Sequence, residues 1–175
     1  MKTQLTTLSS GLRIATCEIP HVETAAVGIW AGVGGRHEPA RLNGISHFIE
    51  HMLFKGTARR SARRIMEEVE GVGGDMNAFT AEERTCYYAA AAVEYFPRLC
   101  NVLSDLYLNP RLSPRDIERE RGVIAEEILM YRDEPSAHVQ EMLMELHWAG
   151  HPLGRPLAGT QASIEGFQRE DFLNY

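Results

Sequence analysis

The chain is poor in cysteine, nearly devoid of lysine, and carries no long apolar run. Its three cysteines, Cys17, Cys86 and Cys100, are widely spaced and contain no C-x-x-C pair. That pattern suggests neither a disulfide framework nor a thiolate zinc site, and predicts buried free thiols. Lysine occurs only at Lys2 and Lys55, the other basic residues being arginine, a bias that by itself points to no function. No apolar stretch approaches the roughly 20 residues of a membrane-spanning helix. The N-terminal stretch lacks both a hydrophobic signal core and the arginine-rich pattern of a transit peptide, so the expected setting is cytoplasmic with no membrane span. A net charge of −6 speaks against nucleic acid as a partner. There are no repeats and no low-complexity linker. With 44% apolar and 24% charged residues, the 175-residue chain has the composition of one globular domain with a real core.

Strand patterns cover 5–8, 12–19 and 24–33, separated by Ser9-Ser10-Gly11 and Pro20-His21. A loop with Pro39 and Asn43-Gly44 leads into a helix over about 45–54. Ser61 is an expected N-cap for a second helix ending before Gly71, Gly73 and Gly74. Segments 75–80 and 85–93 read as a hairpin. Helical patterns follow over 95–108, from Ser113-Pro114 to about 132, from Pro135 toward Gly150, near 162–167 and from about 169. Strands, helices, a hairpin and more helices predict an α+β fold, its sheet mostly antiparallel with helices packed on one face.

His47-Phe48-Ile49-Glu50-His51 is the segment with the clearest chemistry. On a helix, His47 and His51 lie one turn apart on one face with Glu50 beside them. Ile45, Phe48, Ile49 and Met52 fall nearly opposite, so the apolar side can anchor in a core while the polar side faces a cleft. Two neutral imidazoles suit Zn²⁺, and an adjacent unligated carboxylate can act as a base toward water; H-x-x-E-H is the inverzincin spacing. The bland alternative is two surface histidines and a solvated glutamate.

A catalytic zinc site needs three protein ligands and one open position. In the helix after Ser113, the apolar stripe centres near Ile117, Ile124, Ile128 and Tyr131. Glu120 and Glu127 lie on its edge and point partly inward, whereas Glu118 and Glu126 face solvent. Glu127 is thus the expected third ligand and Glu120 a supporting carboxylate behind the ligands. The competing reading pairs these inward acids with arginines such as Arg121. His147 and His151 share the four-residue spacing, but Gly150 and Pro152 interrupt the helix there. Arg59, Arg60, Arg63 and Arg64, a basic run at a helix start, read as a solvated face rather than an anion site.

Taken together, the chain resembles the pitrilysin/insulinase family of zinc metallopeptidases, which includes the mitochondrial processing peptidases. The resemblance rests on residues 43–57, on 77–80 with Glu83, Thr85, Tyr87 and Tyr88, on 118–128, and on His151-Pro152-Leu153-Gly154. It implies Zn²⁺ on His47, His51 and Glu127, Glu50 as general base and Glu120 as an assisting acid. Asn77, Ala78 and Phe79 would bind an extended peptide substrate by strand addition. It further implies that residues 1–175 form one zinc-binding peptidase domain, the N-terminal portion of a longer or two-chain enzyme, with a homologous second half or partner subunit closing the site around peptide or unfolded protein. Two other functions stand beside this one: a non-catalytic assembly or partner subunit, and a simple metal-binding or redox module unrelated to proteolysis.

Overall fold

A computed structural model describes all residues, 1–175. Five strands, β1 Lys2–Thr7, β2 Arg13–Glu18, β3 Thr24–Ala31, β4 Asp75–Thr80 and β5 Thr85–Ala92, are each antiparallel to their neighbours. Seven helices accompany them: α1 Ile45–Leu53, α2 Ala62–Glu70, α3 Phe96–Leu108, α4 Pro114–Asp133, α5 Pro135–His147, α6 Gln161–Gly166 and α7 Arg169–Asn174. The expected α+β architecture is what the chain adopts. Its strands form two sheets: a β1–β2 hairpin and a three-stranded sheet in the order β3-β5-β4. No helix is long and apolar enough to cross a membrane.

Local chemistry accounts for the helix starts. Ser61 Oγ accepts from the Arg64 N–H at 3.2 Å and opens α2, and Ser113 Oγ accepts from the Asp116 N–H at 3.1 Å ahead of Pro114. The three-stranded sheet turns one face inward, where Tyr87, Ala89 and Ala91 of β5 meet Ile65 and Val69 of α2 and Leu99, Leu103 and Leu106 of α3. A second core joins Ile45, Phe48 and Met52 of α1 to Ile117, Ile124 and Ile128 of α4, with Ile164, Phe167 and Phe172 beneath. Ile49 packs against both cores. Helix α1 is therefore held on two sides by apolar contact, which leaves its polar side as the one that can face a cleft.

Two expectations are corrected. Of the cysteines only Cys86 is buried: Cys100 is half-buried, and Cys17 is exposed because both faces of the β1–β2 hairpin are uncovered. The arginine run is not one solvated face. Arg63 and Arg64 make exposed pairs with Glu67 and Glu68, but Arg60 is largely buried and reaches Asp105 of α3 at 2.6 Å, a partner 45 residues away that no local pattern reveals.

Candidate metal centre

Helix α1 carries His47, Glu50 and His51 on the side opposite its buried Ile45, Phe48 and Met52, and α4 crosses it with Glu120 and Glu127 turned toward them. Glu118 and Glu126 are exposed, as their wheel positions predict. One ligand atom from each of His47, His51 and Glu127 lies within 4.8 Å of the others. His47 Nε2 lies 3.6 Å from Glu127 Oε1, and His51 Nε2 lies 3.5 Å from Glu127 Oε2. Both exceed a good N–H···O hydrogen bond. They are close to the ~3.3 Å that separates two ligand atoms on a tetrahedral ion with bonds of about 2.0–2.1 Å. Two imidazoles and one carboxylate at that spacing form a donor set that fits zinc.

The surroundings tune each member. Burial, with the field of His51 and against that of Glu120, lowers the His47 pKa to about 4. Its ring is neutral at neutral pH, with a lone pair free to ligate. For His51, burial works against the charged form, but the hydrogen bond to Glu120 and the fields of Glu127, Glu120 and Glu50 outweigh it and raise the pKa. Glu120, 4% exposed, sits behind His51: its Oε1 lies 2.8 Å from His51 Nδ1 and its Oε2 is 2.6 Å from Lys55 Nζ. Desolvation pushes Glu120 up, yet these two partners bring it below the usual carboxylate range. A carboxylate on the rear nitrogen sets the ring's tautomer and orientation, so Glu120 stands where it acts through His51. Arg121 does not neutralise it. That side chain instead pairs with Glu118 and donates to the carbonyls of Ile164 and Phe167, so the arginine-paired reading of the inward acids finds no support.

Glu50 accepts from Thr80 Oγ1 of β4 at 2.5 Å. Burial raises its pKa, Thr80 and His51 oppose that, and Glu127 adds to it. These side chains open into a cavity of about 510 Å³. Its walls are Ala78, Phe79 and Thr80 of β4, Tyr131 of α4, Ala137, Glu141 and Met144 of α5, and the 152–158 segment. Asn77 lies outside the lining, its Oδ1 accepting from the Ala78 N–H at 2.8 Å. β4 pairs only with β5, so its other edge is open. His147 and His151 make no second centre: α5 ends at His147, and His151 Nδ1 accepts from the Leu153 N–H at 3.2 Å. Thr80 and Lys55 are site neighbours that sequence reasoning did not assign a role. Both lie within the motif segments, but their partners are 30 and 65 residues distant, beyond any helical or strand period.

Comparison with known proteins identifies the family. The chain is 40% identical over 169 residues to a Bacillus subtilis protein named as an uncharacterised zinc protease, covering 97% of this chain and 41% of that protein. It is 41% identical over 177 residues to the mitochondrial-processing peptidase subunit beta of Lentinula edodes, covering 99% of this chain and 37% of that subunit. The chain thus spans about two fifths of the length of the curated relatives it matches. In fold it superposes on a Helicobacter pylori protease with a TM-score of 0.93 at 23% identity, over 99% of this chain and 42% of that one. Residues 13–161 match the family model described as insulinase (peptidase family M16), and the chain belongs to that family.

Proposed function

We propose that residues 1–175 are the zinc-binding portion of a metalloendopeptidase that hydrolyses extended peptides, with His47, His51 and Glu127 as ligands and Glu50 as general base. The observation that carries this reading is the convergence of the two α1 imidazoles on the α4 carboxylate, each Nε2 3.5–3.6 Å from one of its oxygens, with Glu50 beside them on the cavity wall. The names of the two relatives, a zinc protease and a processing-peptidase subunit, support the same metal and reaction class.

His47, His51 and Glu127 would hold the zinc, which when bound would supply Lewis-acid polarisation of the scissile carbonyl and lower the pKa of water. The chain's own residues do the rest. Glu50 receives the proton of the attacking water and returns it to the leaving nitrogen, so one carboxylate serves as base and then as acid. Thr80 holds that carboxylate toward β4. The open β4 edge at Ala78 and Phe79, with Asn77 at its rim, takes the substrate backbone as an added strand, which accepts many sequences and leaves selectivity to the cavity walls. Lys55 and Glu120 keep His51 turned toward Glu127. The remaining three fifths of a full-length relative would provide the homologous second half that closes the cavity over the peptide.

Zinc titration tests the ligand assignment directly. The unmodified chain is expected to bind one Zn²⁺, Glu127→Ala to lose it, and Glu126→Ala, one residue away on the exposed side, to keep it. Equal zinc content in both variants would overturn the assignment. Full-length protein loaded with zinc and unable to cleave any unfolded peptide would favour the non-catalytic subunit instead.

A further inference from the structure

His51 has a carboxylate behind it; His47 does not. The His47 Nδ1 is buried and finds no protein partner, so no hydrogen bond on the ring's far side aims it. Apart from its edge-on contact with the His51 ring, 4.6 Å between centroids, its direction comes from the backbone of α1, and His47 stands in the first turn, where N–H groups lack intrahelical acceptors. The N-cap residue is Gly44, which offers no side chain and sits at φ 94°. The acceptor comes from outside the helix. Glu38, 3% exposed, takes the Gly44 N–H on Oε2 at 2.7 Å and the Ser46 N–H on Oε1 at 2.9 Å, while Asn43 Nδ2 donates to Oε2 at 3.2 Å.

The same residue is tied to the cavity wall. Arg155 Nη1 donates to the Glu38 carbonyl at 2.8 Å, and Asn43 Nδ2 also donates to the Pro156 carbonyl at 3.0 Å. A Cβ on Gly44 would meet the Ala158 carbonyl oxygen at 2.6 Å, so helix start and wall are in direct contact. Resting on the zinc reading above, we infer that Glu38 is a positioning residue for the metal centre: by capping α1 from outside it sets where the His47 ring points and joins that ring to the 152–158 wall. A carboxylate is specific to the task, because both oxygens accept from different backbone N–H groups and the negative charge favours a helix N-terminus. Glutamine would turn its NH₂ toward one of those donors and lose that bond.

The test compares Glu38→Gln with Ile65→Val, a mild core change in the other hydrophobic cluster, using the 175-residue chain. Zinc affinity is read by chelator competition, and ligand geometry by the visible absorption of the Co²⁺-loaded protein. Glu38→Gln is expected to weaken zinc about tenfold, the lower end for an outer partner of a metal ligand, and to alter the Co²⁺ spectrum. Ile65→Val should leave both unchanged. An affinity within twofold of the unmodified chain with an identical spectrum overturns the inference, as does an equal loss in Ile65→Val, which would mark a general stability effect. Should Glu38→Gln not fold, Asn43→Ala decides on the same twofold criterion. An unmodified chain that binds no zinc overturns the metal reading and this inference with it; a binding chain with an indifferent Glu38→Gln overturns this inference alone.

Discussion

Glu50→Gln is expected to lower peptide hydrolysis by about 10²–10⁴-fold in the full-length protein while leaving zinc at one ion per chain. Glutamine keeps the size of the side chain and an oxygen that can accept from Thr80 Oγ1, so neither the cavity nor α1 needs to rearrange. What it loses is the capacity to take a proton. The grouping of ligand atoms that fits the metal contains His47, His51 and Glu127 and does not include Glu50, which is why metal content and rate should separate. The corresponding barrier increase is roughly 3–5 kcal/mol, enough to stand clear of assay error. A variant that retains more than a tenth of the wild-type rate, or that loses zinc in parallel with activity, would remove Glu50 from the role of base.

The pair of helices that carries the candidate ligands is legible in the sequence because its information is periodic. Four-residue spacing puts His47 and His51 on one face of α1, and the apolar stripe of α4 separates inward Glu120 and Glu127 from outward Glu118 and Glu126 by periodicity alone. Helix starts at Ser61 and Ser113 were equally local. What escaped were groups whose meaning comes from distant partners. Glu38 caps a helix six residues ahead without occupying its N-cap position, Lys55 meets Glu120 on another helix, and Thr80 reaches Glu50 across the sheet edge. Cys17 departs for the opposite reason: the burial expected of a free cysteine is a general tendency of the residue type, and both faces of β1–β2 are uncovered. Pattern thus located the elements that carry the donors, while the contacts that orient those donors became visible only in three dimensions.

Asp105→Ala is expected to destabilise the fold by about 3–5 kcal/mol, the usual cost of stranding the partner of a buried ion pair. Asp105 is 1% exposed. Its Oδ2 accepts from Thr57 Oγ1 at 2.8 Å and Arg60 Nη1 at 2.6 Å, and its Oδ1 from Arg59 Nε and Asn109 Nδ2, each at 3.1 Å. Arg59 is mostly exposed and contributes little; Arg60 and the fully buried Thr57 bear the loss. This network ties the segment that follows α1, the one carrying Lys55, to α3. Desolvation would raise the Asp105 pKa, but the hydrogen bonds from Thr57, Arg60, Asn109 and Arg59 outweigh it and bring it from 3.8 down to about 2. A folded-state pKa below the unfolded one means stabilisation that is complete above about pH 4 and disappears as pH falls through about 2. That linkage amounts to roughly 2 kcal/mol. Urea unfolding between pH 5 and pH 2 separates the two contributions. Asp105→Ala should shift the midpoint at pH 5 without changing the slope, and the gap between Asp105→Asn and the unmodified chain should narrow as the pH approaches 2. Parallel stability curves over that interval would show that the carboxylate's charge is not what holds the α1–α3 junction together.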